Sequence, residues 1–214
     1  GEQLYVNPED RHKYRKILEE QGVVEGFVKQ VFKKDGTIIW TSTNSRAVKD
    51  ERGNILCFEG TIEDVTENMQ AEEALRLSEE KYRNIFKNAV MGIFQTTPDG
   101  RYLSINPAGA RMYGYDSPEE MMASVSDMAH QIYVNPLDRE RFKEILEIFG
   151  FVEGFEGKHY RKDGSVIWTS MNARAVYDAS GNILYYETTA ENITERKHLE
   201  SQLRQGQKME AIGT

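Results

Sequence analysis

The chain has 214 residues, of which 39% are hydrophobic, so it can bury the core of one to two domains. Its formal net charge of −8 argues against a nucleic-acid partner, because phosphate binding requires clustered Lys and Arg. No run of about eighteen apolar residues occurs and the N-terminus has no signal-peptide pattern, so the sequence predicts no membrane span.

The first predicted elements are one helix and three strands. Asn7 and Pro8 open the helix, and Gly22 ends it. Turn sequences rich in Asp, Gly and Asn separate the strands, which we place at 23–32, 37–48 and 55–65. This order predicts an antiparallel meander behind one helix.

Residues 66–88 contain no Gly or Pro and predict a long helix. Its seam positions alternate in steps of three and four residues, a stripe too narrow for a core helix and suited to a two-helix contact. We favour a coiled coil; the alternative is an exposed connector helix that packs on its own domain. The seam includes Leu75, Tyr82 and Ile85.

The rest of the chain predicts five strands, with helices inserted after the second. An antiparallel five-stranded sheet with helices on one face is an α+β fold. The predicted strands are 91–96, 101–105, 152–161, 165–177 and 183–192, and the predicted helices are 106–113, 118–128 and 136–149, with a last helix from 194.

Nearly the same stretch occurs twice in the chain. Residues 5–67 and 133–195 align without a gap at an offset of 128, and 35 of the 63 aligned positions are identical. Such self-similarity indicates duplication of one folded unit. The offset extends into the last helix, where Leu199 and Leu203 continue the seam in the same register.

Three runs of sequence resemble the PAS domain family of sensor modules. They are INPAGARMYGY at 105–115, NPLDRERF at 135–142 and RKDGSVIWTS at 161–170. The resemblance implies the C-terminal half of a first PAS domain at 1–66, a connector helix at 67–88 and a complete second PAS domain at 79–194.

The ends of both copies are similar to the family's terminal Asp-x-Thr motif, which is implied to be the signal exit. The first copy has Asp64 and Thr66, and the second has Asn192 and Thr194. Asn192 keeps the hydrogen-bond acceptor but loses the charge, so a salt bridge at this position is not expected in the second copy.

Residues 207–214 look like the first turns of the dimerisation helix of sensor histidine kinases, just before a phospho-accepting His that the chain does not contain. The resemblance implies that 195–214 is an exit signalling helix leading to a kinase dimerisation domain. We therefore expect a fragment of a two-component histidine kinase that is not itself an enzyme, forms a homodimer through its helices and serves a response regulator. Membrane anchoring of the parent stays open.

The cofactors known in PAS domains require different residues to bind them. Covalent flavin chemistry requires a Cys, and 79–194 has none, which excludes it; haem typically takes a His from the long helix, and 136–149 has none. His130 precedes this helix and His159 lies on a strand near the turn, and we expect both to be surface or loop residues. A non-covalently bound flavin or a small-molecule ligand stays open. Cys57, the only cysteine, indicates a reducing, cytoplasmic compartment.

Catalytic and metal-binding patterns are missing from the sequence. It contains no GxSxG, HExxH, P-loop or GxGxxG motif, and no two His are spaced for a metal. We expect no catalytic residue and no metal site.

Candidate pocket residues are few. Asn106 is either a helix N-cap or a ligand contact. Strand alternation places Trp168 and its even-numbered neighbours on one face and Ile167 and its odd-numbered neighbours on the other. Trp168 is a pocket, core or interface residue. The candidate ligand pocket comprises Asn106, Met112, Trp168, Ser170 and Asn172.

Three functions fit this reading of the sequence. The first is a sensory input region whose module at 79–194 perceives a signal and shifts the exit helix. The second is a ligand-free PAS scaffold that dimerises and sets helix register. The third is a PAS input to another output, such as a diguanylate cyclase or a transcription regulator.

Overall fold

The computed structural model describes residues 4–212, with side chains through residue 207. The chain divides into two compact units between Lys81 and Tyr82. The predicted domain ranges remain predictions, because this boundary lies inside a helix, α2 (Thr66–Asn88), rather than at one of its ends. No helix in the described range is both long enough and apolar enough to cross a membrane.

The first unit is one helix followed by an antiparallel sheet in the order β1-β2-β3. The Asn7 side chain caps the helix by accepting from the amide of Glu9, and Gly22 ends it in the left-handed conformation, with φ 75°. These are the predicted start and stop residues. The elements are α1 (Pro8–Gln21), β1 (Val23–Phe32), β2 (Ile38–Lys49) and β3 (Ile55–Asp64).

The second unit contains a five-stranded antiparallel sheet in the order β5-β4-β8-β7-β6, which confirms the predicted α+β, PAS-like fold class. Four helices connect the second and third strands of the sheet. The elements are β4 (Gly92–Thr96), β5 (Tyr102–Ile105), α3 (Pro107–Met112), α4 (Pro118–Ser124), α5 (Met128–Gln131), α6 (Pro136–Phe149), β6 (Phe151–Tyr160), β7 (Val166–Tyr177), β8 (Ile183–Asn192) and α7 (Thr194–Ile212).

The prediction of one helix at 118–128 was wrong. Val125 leaves helical geometry at φ −96° and ψ 100°, and Asp127 then caps a separate short helix by accepting from the amide of His130. Ser126 and Asp127 prefer caps and turns because their short side chains bond to neighbouring backbone. The break turns Met121 and Met128 onto the core from two different helices.

The core of the second unit lies between the inner face of the sheet and the helices α3 to α6. Met121 and Leu146 supply fully buried side chains from α4 and α6, and Tyr186 supplies one from the central strand β8. Burying large apolar side chains of this kind stabilises a fold by about 1.5–3 kcal/mol each.

Strands β3 and β8 correspond through the repeat but have different neighbours. β8 pairs with β4 and β7, whereas β3 pairs with β2 alone among the strands of the described range. The apolar side chains of β3 are exposed; they are Ile55, Leu56, Phe58 and Ile62.

Candidate functional site

The second unit encloses a small cavity between its sheet and helices α5 and α6. Its volume is about 30 Å³. Since a water molecule needs at least about 10–15 Å³ of such space, the cavity has room for only a few non-hydrogen atoms. Its wall combines apolar side chains with a polar group of residues: Thr96, Tyr102, Tyr113, Tyr133, Arg139, His159 and Thr188.

His159 is the most deeply buried ionisable side chain of this wall. It lies on β6 and is 1% exposed, so the expectation of a surface or loop histidine was wrong. Its Nδ1 is 2.6 Å from the Tyr113 hydroxyl and 3.2 Å from the Thr169 hydroxyl. The Tyr133 ring packs edge-on against it, with centroids 4.4 Å apart. Its Nε2 has no hydrogen-bond partner among the described residues.

These contacts determine the protonation of the ring. Burial lowers the pKa of His159 to about 3, so the imidazole is neutral at pH 7. Burial raises the pKa of Tyr113, so its hydroxyl keeps its proton and is able to donate it to Nδ1, its hydrogen-bond partner. With Tyr113 as the donor we assign the ring proton to Nε2, which is then a buried donor.

Arg139 brings a positive charge to the same cavity. It lies on α6, is 7% exposed, and makes no ion pair within 4.0 Å in the described part of the chain. Burial raises the pKa of Tyr133 to about 12, and the charge of Arg139 opposes that rise, which places the guanidinium near the Tyr133 hydroxyl. Arg is almost never fully buried unless it is paired.

The sequence predictions assigned neither His159 nor Arg139 to a site, although the sequence carries a signal that each side chain is buried. The repeat aligns His159 with Val31, an apolar residue on the inner face of its own sheet. Arg139 precedes Phe142 and Leu146 by three and seven residues, which places all three on one helix face. Both signals indicate burial despite the polar side chain.

Asn106 has its side-chain groups engaged within the fold. It is 0% exposed, and its oxygen accepts from the amides of Gly109 and Ile93 at 2.8 and 2.9 Å. Its nitrogen donates to the carbonyl oxygens of Phe86 and Met91 at 3.1 and 3.0 Å. Asn106 is therefore the N-cap of α3 and joins it to β4 and the end of α2, with no side-chain atom free for a ligand.

The other candidate pocket residues do not line the interior cavity. Met112 packs at the margin of the core. Trp168, Ser170 and Asn172 lie on the face of β7 opposite the core, because the odd-numbered residues of that strand are the buried ones. The alternation along β7 separated its two faces correctly, but the helices cover the face of Ile167 and not the face of Trp168 on which the pocket residues were predicted. Trp168 instead lies beneath the ammonium group of Lys158, 5.2 Å from its ring centroid.

Asn172 has a structural role that the duplication preserves. Its side-chain oxygen accepts from the amide of Gly154 at 2.8 Å, and Asn44 accepts from Gly26 at 2.7 Å in the first unit. Both glycines have φ 61° and lie at a β-bulge, where the side-chain amide satisfies a donor that the strand pairing leaves free. Asn172 also lines an outer-face groove of about 550 Å³, next to Ile85.

The predicted exit residues of the second unit join the sheet to the start of α7. The Thr194 hydroxyl accepts from the amide of Trp168 at 3.0 Å and donates to the Asn192 side chain at 2.6 Å. The Asn192 oxygen also accepts from the Thr194 amide at 3.0 Å. The first residue of α7 is thus bonded to both β7 and β8.

The first unit repeats this connection with one difference in charge. The Thr66 hydroxyl accepts from the amide of Trp40 at 2.9 Å and donates to Asp64 at 2.5 Å. Asp64 also pairs with Lys33 at 3.4 Å. In the second unit Arg161, the counterpart of Lys33, donates to the Met112 carbonyl oxygen instead. Asn192 carries no charge, so the ion pair of Asp64 with Lys33 has no counterpart between Asn192 and Arg161.

A second set of contacts holds the first turn of α7 against the outer face of the sheet. Arg196 pairs with Glu156 of β6 at 2.7 Å, and Lys197 pairs with the same carboxylate. Lys197 also lies 5.5 Å from the ring centroid of Trp168. These ion pairs lower the pKa of Glu156. The exit helix therefore contacts β6 and β7 and follows directly from β8.

The predicted seam residues are exposed in this single chain. Every residue of α2, which lies wholly within the described range, is exposed or half-buried. The last part of the tail motif, residues 213 and 214, and the side chains of 208–214 lie outside the described residues. The seam residues are between 53% and 66% exposed: Leu75, Tyr82, Ile85, Leu199 and Leu203.

Comparisons with known proteins agree with the duplication. A family profile described as "PAS domain" matches residues 2–67 and 90–195. The sensor histidine kinase TmoS of Ectopseudomonas mendocina is 24% identical over 136 residues, which cover 64% of this chain and 14% of that protein. The methyl sulfide methyltransferase-associated sensor of Methanosarcina acetivorans is 26% identical over 208 residues, which cover 92% and 20%.

A third relative is named as an enzyme of another class, a diguanylate cyclase. The probable diguanylate cyclase DgcE of Escherichia coli K12 is 28% identical over 129 residues, which cover 58% of this chain and 11% of that protein. The chain thus spans between 11% and 20% of the length of these three relatives.

Proposed function

The chain belongs to the PAS domain family, and from this premise we propose that it is the cytoplasmic sensory and signal-transmission region of a two-component histidine kinase. In this proposal the second unit perceives a small ligand, neither haem nor covalently bound flavin, and passes the signal through α7 to control autophosphorylation. The relatives named as a sensor histidine kinase and as a sensor support this assignment.

The observation that carries the proposal is the bonding of Thr194 to the sheet. Its hydroxyl is held by Trp168 of β7 and by Asn192 of β8. Met171 and Thr188 of the same two strands line the interior cavity. A change in the cavity that moves β7 against β8 therefore changes the geometry of the first turn of α7. A ligand drives such a change only when it binds the two states with different affinity.

We propose a homodimer through the exposed seams of α2 and α7. Apolar residues repeated every three and four positions need a partner helix to leave water. Because Leu75 of α2 and Leu203 of α7 lie 128 positions apart, the two exit helices would then have the same register in the dimer. The kinase part of the parent would transfer its phosphoryl group to a response regulator.

Register insertions test the proposal. The 214-residue chain is fused through α7 to the catalytic core of a histidine kinase, and autophosphorylation is measured. Inserting seven residues at the junction restores the seam and is expected to preserve the rate, whereas inserting four rotates it and is expected to change the rate several-fold. Equal rates for both insertions would contradict transmission through a coiled coil.

The small interior volume favours a second candidate, a PAS scaffold that sets helix register without a ligand of its own. The relative named as a diguanylate cyclase supports a third candidate, in which the PAS region controls a different output. The scaffold predicts that register insertions change the kinase rate while no small molecule does.

A further inference from the structure

A buried cation without a counter-ion marks the interior cavity of the second unit. Arg139 is 93% buried, from its exposure of 7%, and makes no ion pair within 4.0 Å among the described residues. An isolated buried charge is costly unless a charge of opposite sign or several hydrogen bonds compensate it.

The acidic side chains near Arg139 have other partners. Asp138 lies 3.9 Å from Arg141 and accepts from the Asn135 side chain at 3.3 Å. Glu147, one α-helical turn after Lys143, pairs with it at 3.5 Å. None of the residues that line the cavity is an Asp or a Glu. The protein therefore provides a positive charge there without the matching negative one.

His159 adds a directed donor to the same wall. Its Nδ1 is occupied by Tyr113, and the Nε2 atom, which carries the proton, has no partner among the described residues. A Cβ built on Gly157 would lie 3.6 Å from Nε2, in van der Waals contact, so the glycine keeps a side chain away from this edge of the ring. Tyr133 packs on His159 and lies near Arg139, so the two donors belong to one site.

We propose that this cavity binds a carboxylate of one or two carbons, such as formate or acetate, between the guanidinium of Arg139 and the Nε2–H of His159. A guanidinium matches a carboxylate in shape and charge and binds it through two parallel hydrogen bonds. The inference rests on the sensory role proposed above and names the class of ligand.

Size and polarity both limit the ligand to this class. A volume of about 30 Å³ accepts a few non-hydrogen atoms and no larger group without rearrangement. The apolar part of the wall suits a hydrogen or methyl substituent on the carboxylate carbon; it includes Phe94, Met128, Ile132, Phe142 and Met171.

The first unit offers a natural comparison. Its residue at the position of His159 is Val31, so the repeat lacks this donor. His159→Val places at this position the residue of the first copy and removes the Nε2 donor; it also leaves the Tyr113 hydroxyl without its Nδ1 partner.

Binding is measured on the intact 214-residue chain by isothermal titration calorimetry at pH 7, with sodium acetate and sodium formate against sodium chloride at equal ionic strength. Saturable binding of at least one carboxylate, with a stoichiometry of one per chain, is expected. Arg139→Met and His159→Val are each expected to weaken it by at least about tenfold, because each removes a charged or directed donor. Arg111→Met, at an exposed residue of α3 that does not line the cavity, is expected to leave it unchanged.

Two further measurements keep the outcomes distinct. If Arg139→Met does not fold, Arg139→Lys replaces it in the test. The lysine retains the charge but lacks the planar pair of N–H donors of the guanidinium, so this variant is expected to bind the carboxylate with intermediate affinity. In the wild-type chain the ¹⁵N resonance of His159 Nε2 is expected to shift on addition of acetate. The absence of saturable carboxylate binding, or equal affinity in the Arg139→Met and Arg111→Met variants, would overturn the site. The register insertions do not depend on any ligand, so their result separates failure of this site from failure of the signalling role.

Discussion

Thr194, the first residue of the last helix, accepts a hydrogen bond from the backbone amide of Trp168 at 3.0 Å, 26 residues earlier in the chain. Thr66 and Trp40 repeat the relationship at 2.9 Å in the first unit. The threonine hydroxyl thus replaces a strand partner where β7 extends beyond the end of β8 and β2 extends beyond the end of β3. The bond joins each exit helix to the sheet from which it emerges.

Replacing this hydroxyl is expected to loosen the exit helix. Thr194→Ala leaves the Trp168 amide without its partner and should lower the free energy of unfolding by about 1 kcal/mol. It should also speed hydrogen exchange of that amide, as followed by NMR. Thr194→Ser keeps the hydroxyl and is the control. Equal stability and equal exchange in the two variants would show that the bond does not hold the helix.

Acidification is expected to destabilise the second unit through His159. Its pKa is about 3 when folded and near 6.5 when unfolded, so the unfolded state binds more protons between these values and stability falls as the pH decreases through that window. The loss between pH 7 and pH 5 should be about 2 kcal/mol from this group. Urea unfolding followed by tryptophan fluorescence measures it.

The pH experiment has two matched variants. His159→Val should remove most of the pH dependence between 7 and 5, because the valine does not titrate. His12→Gln replaces an exposed histidine of the first unit and should leave the dependence as in the wild type. A wild-type stability that is flat across this range would argue that the His159 site opens to water.

Asn106 is expected to be among the polar residues most sensitive to substitution. Asn106→Ala removes four hydrogen bonds from a fully buried position and leaves backbone groups of three segments unsatisfied. We expect a loss of about 3 kcal/mol or more in urea unfolding. Ser104→Ala, which removes one half-buried bond to Gln95 at 2.9 Å, should cost less than about 1 kcal/mol. Similar losses for both would contradict the hub role of Asn106.

The seam of α7 is expected to support dimerisation. Replacing Leu199 and Leu203 together by Lys puts two charges into the proposed helix contact and should weaken the dimer at least about tenfold. Light scattering coupled to size-exclusion chromatography measures the mass over a concentration series. Gln202→Lys adds one charge beside the seam and should have a smaller effect. A wild-type chain that remains monomeric at high concentration would disprove the proposed contact at this length.

Much of the architecture followed from local sequence signals. The duplication at an offset of 128, the caps at Asn7 and Gly22, and the long helix at 66–88 were all readable in advance, because capping and hydrophobic periodicity act over a few residues.

The chemistry of the interior was decided by tertiary structure. Alternation divides β7 into two faces, but which face is buried depends on the side that the helices cover, and here they cover Ile167 rather than Trp168. His159 and Arg139 look like surface residues in the sequence because both are polar. Only the folded chain shows that they meet in one cavity, because the strand β6 and the helix α6 bring them to it from positions 20 residues apart.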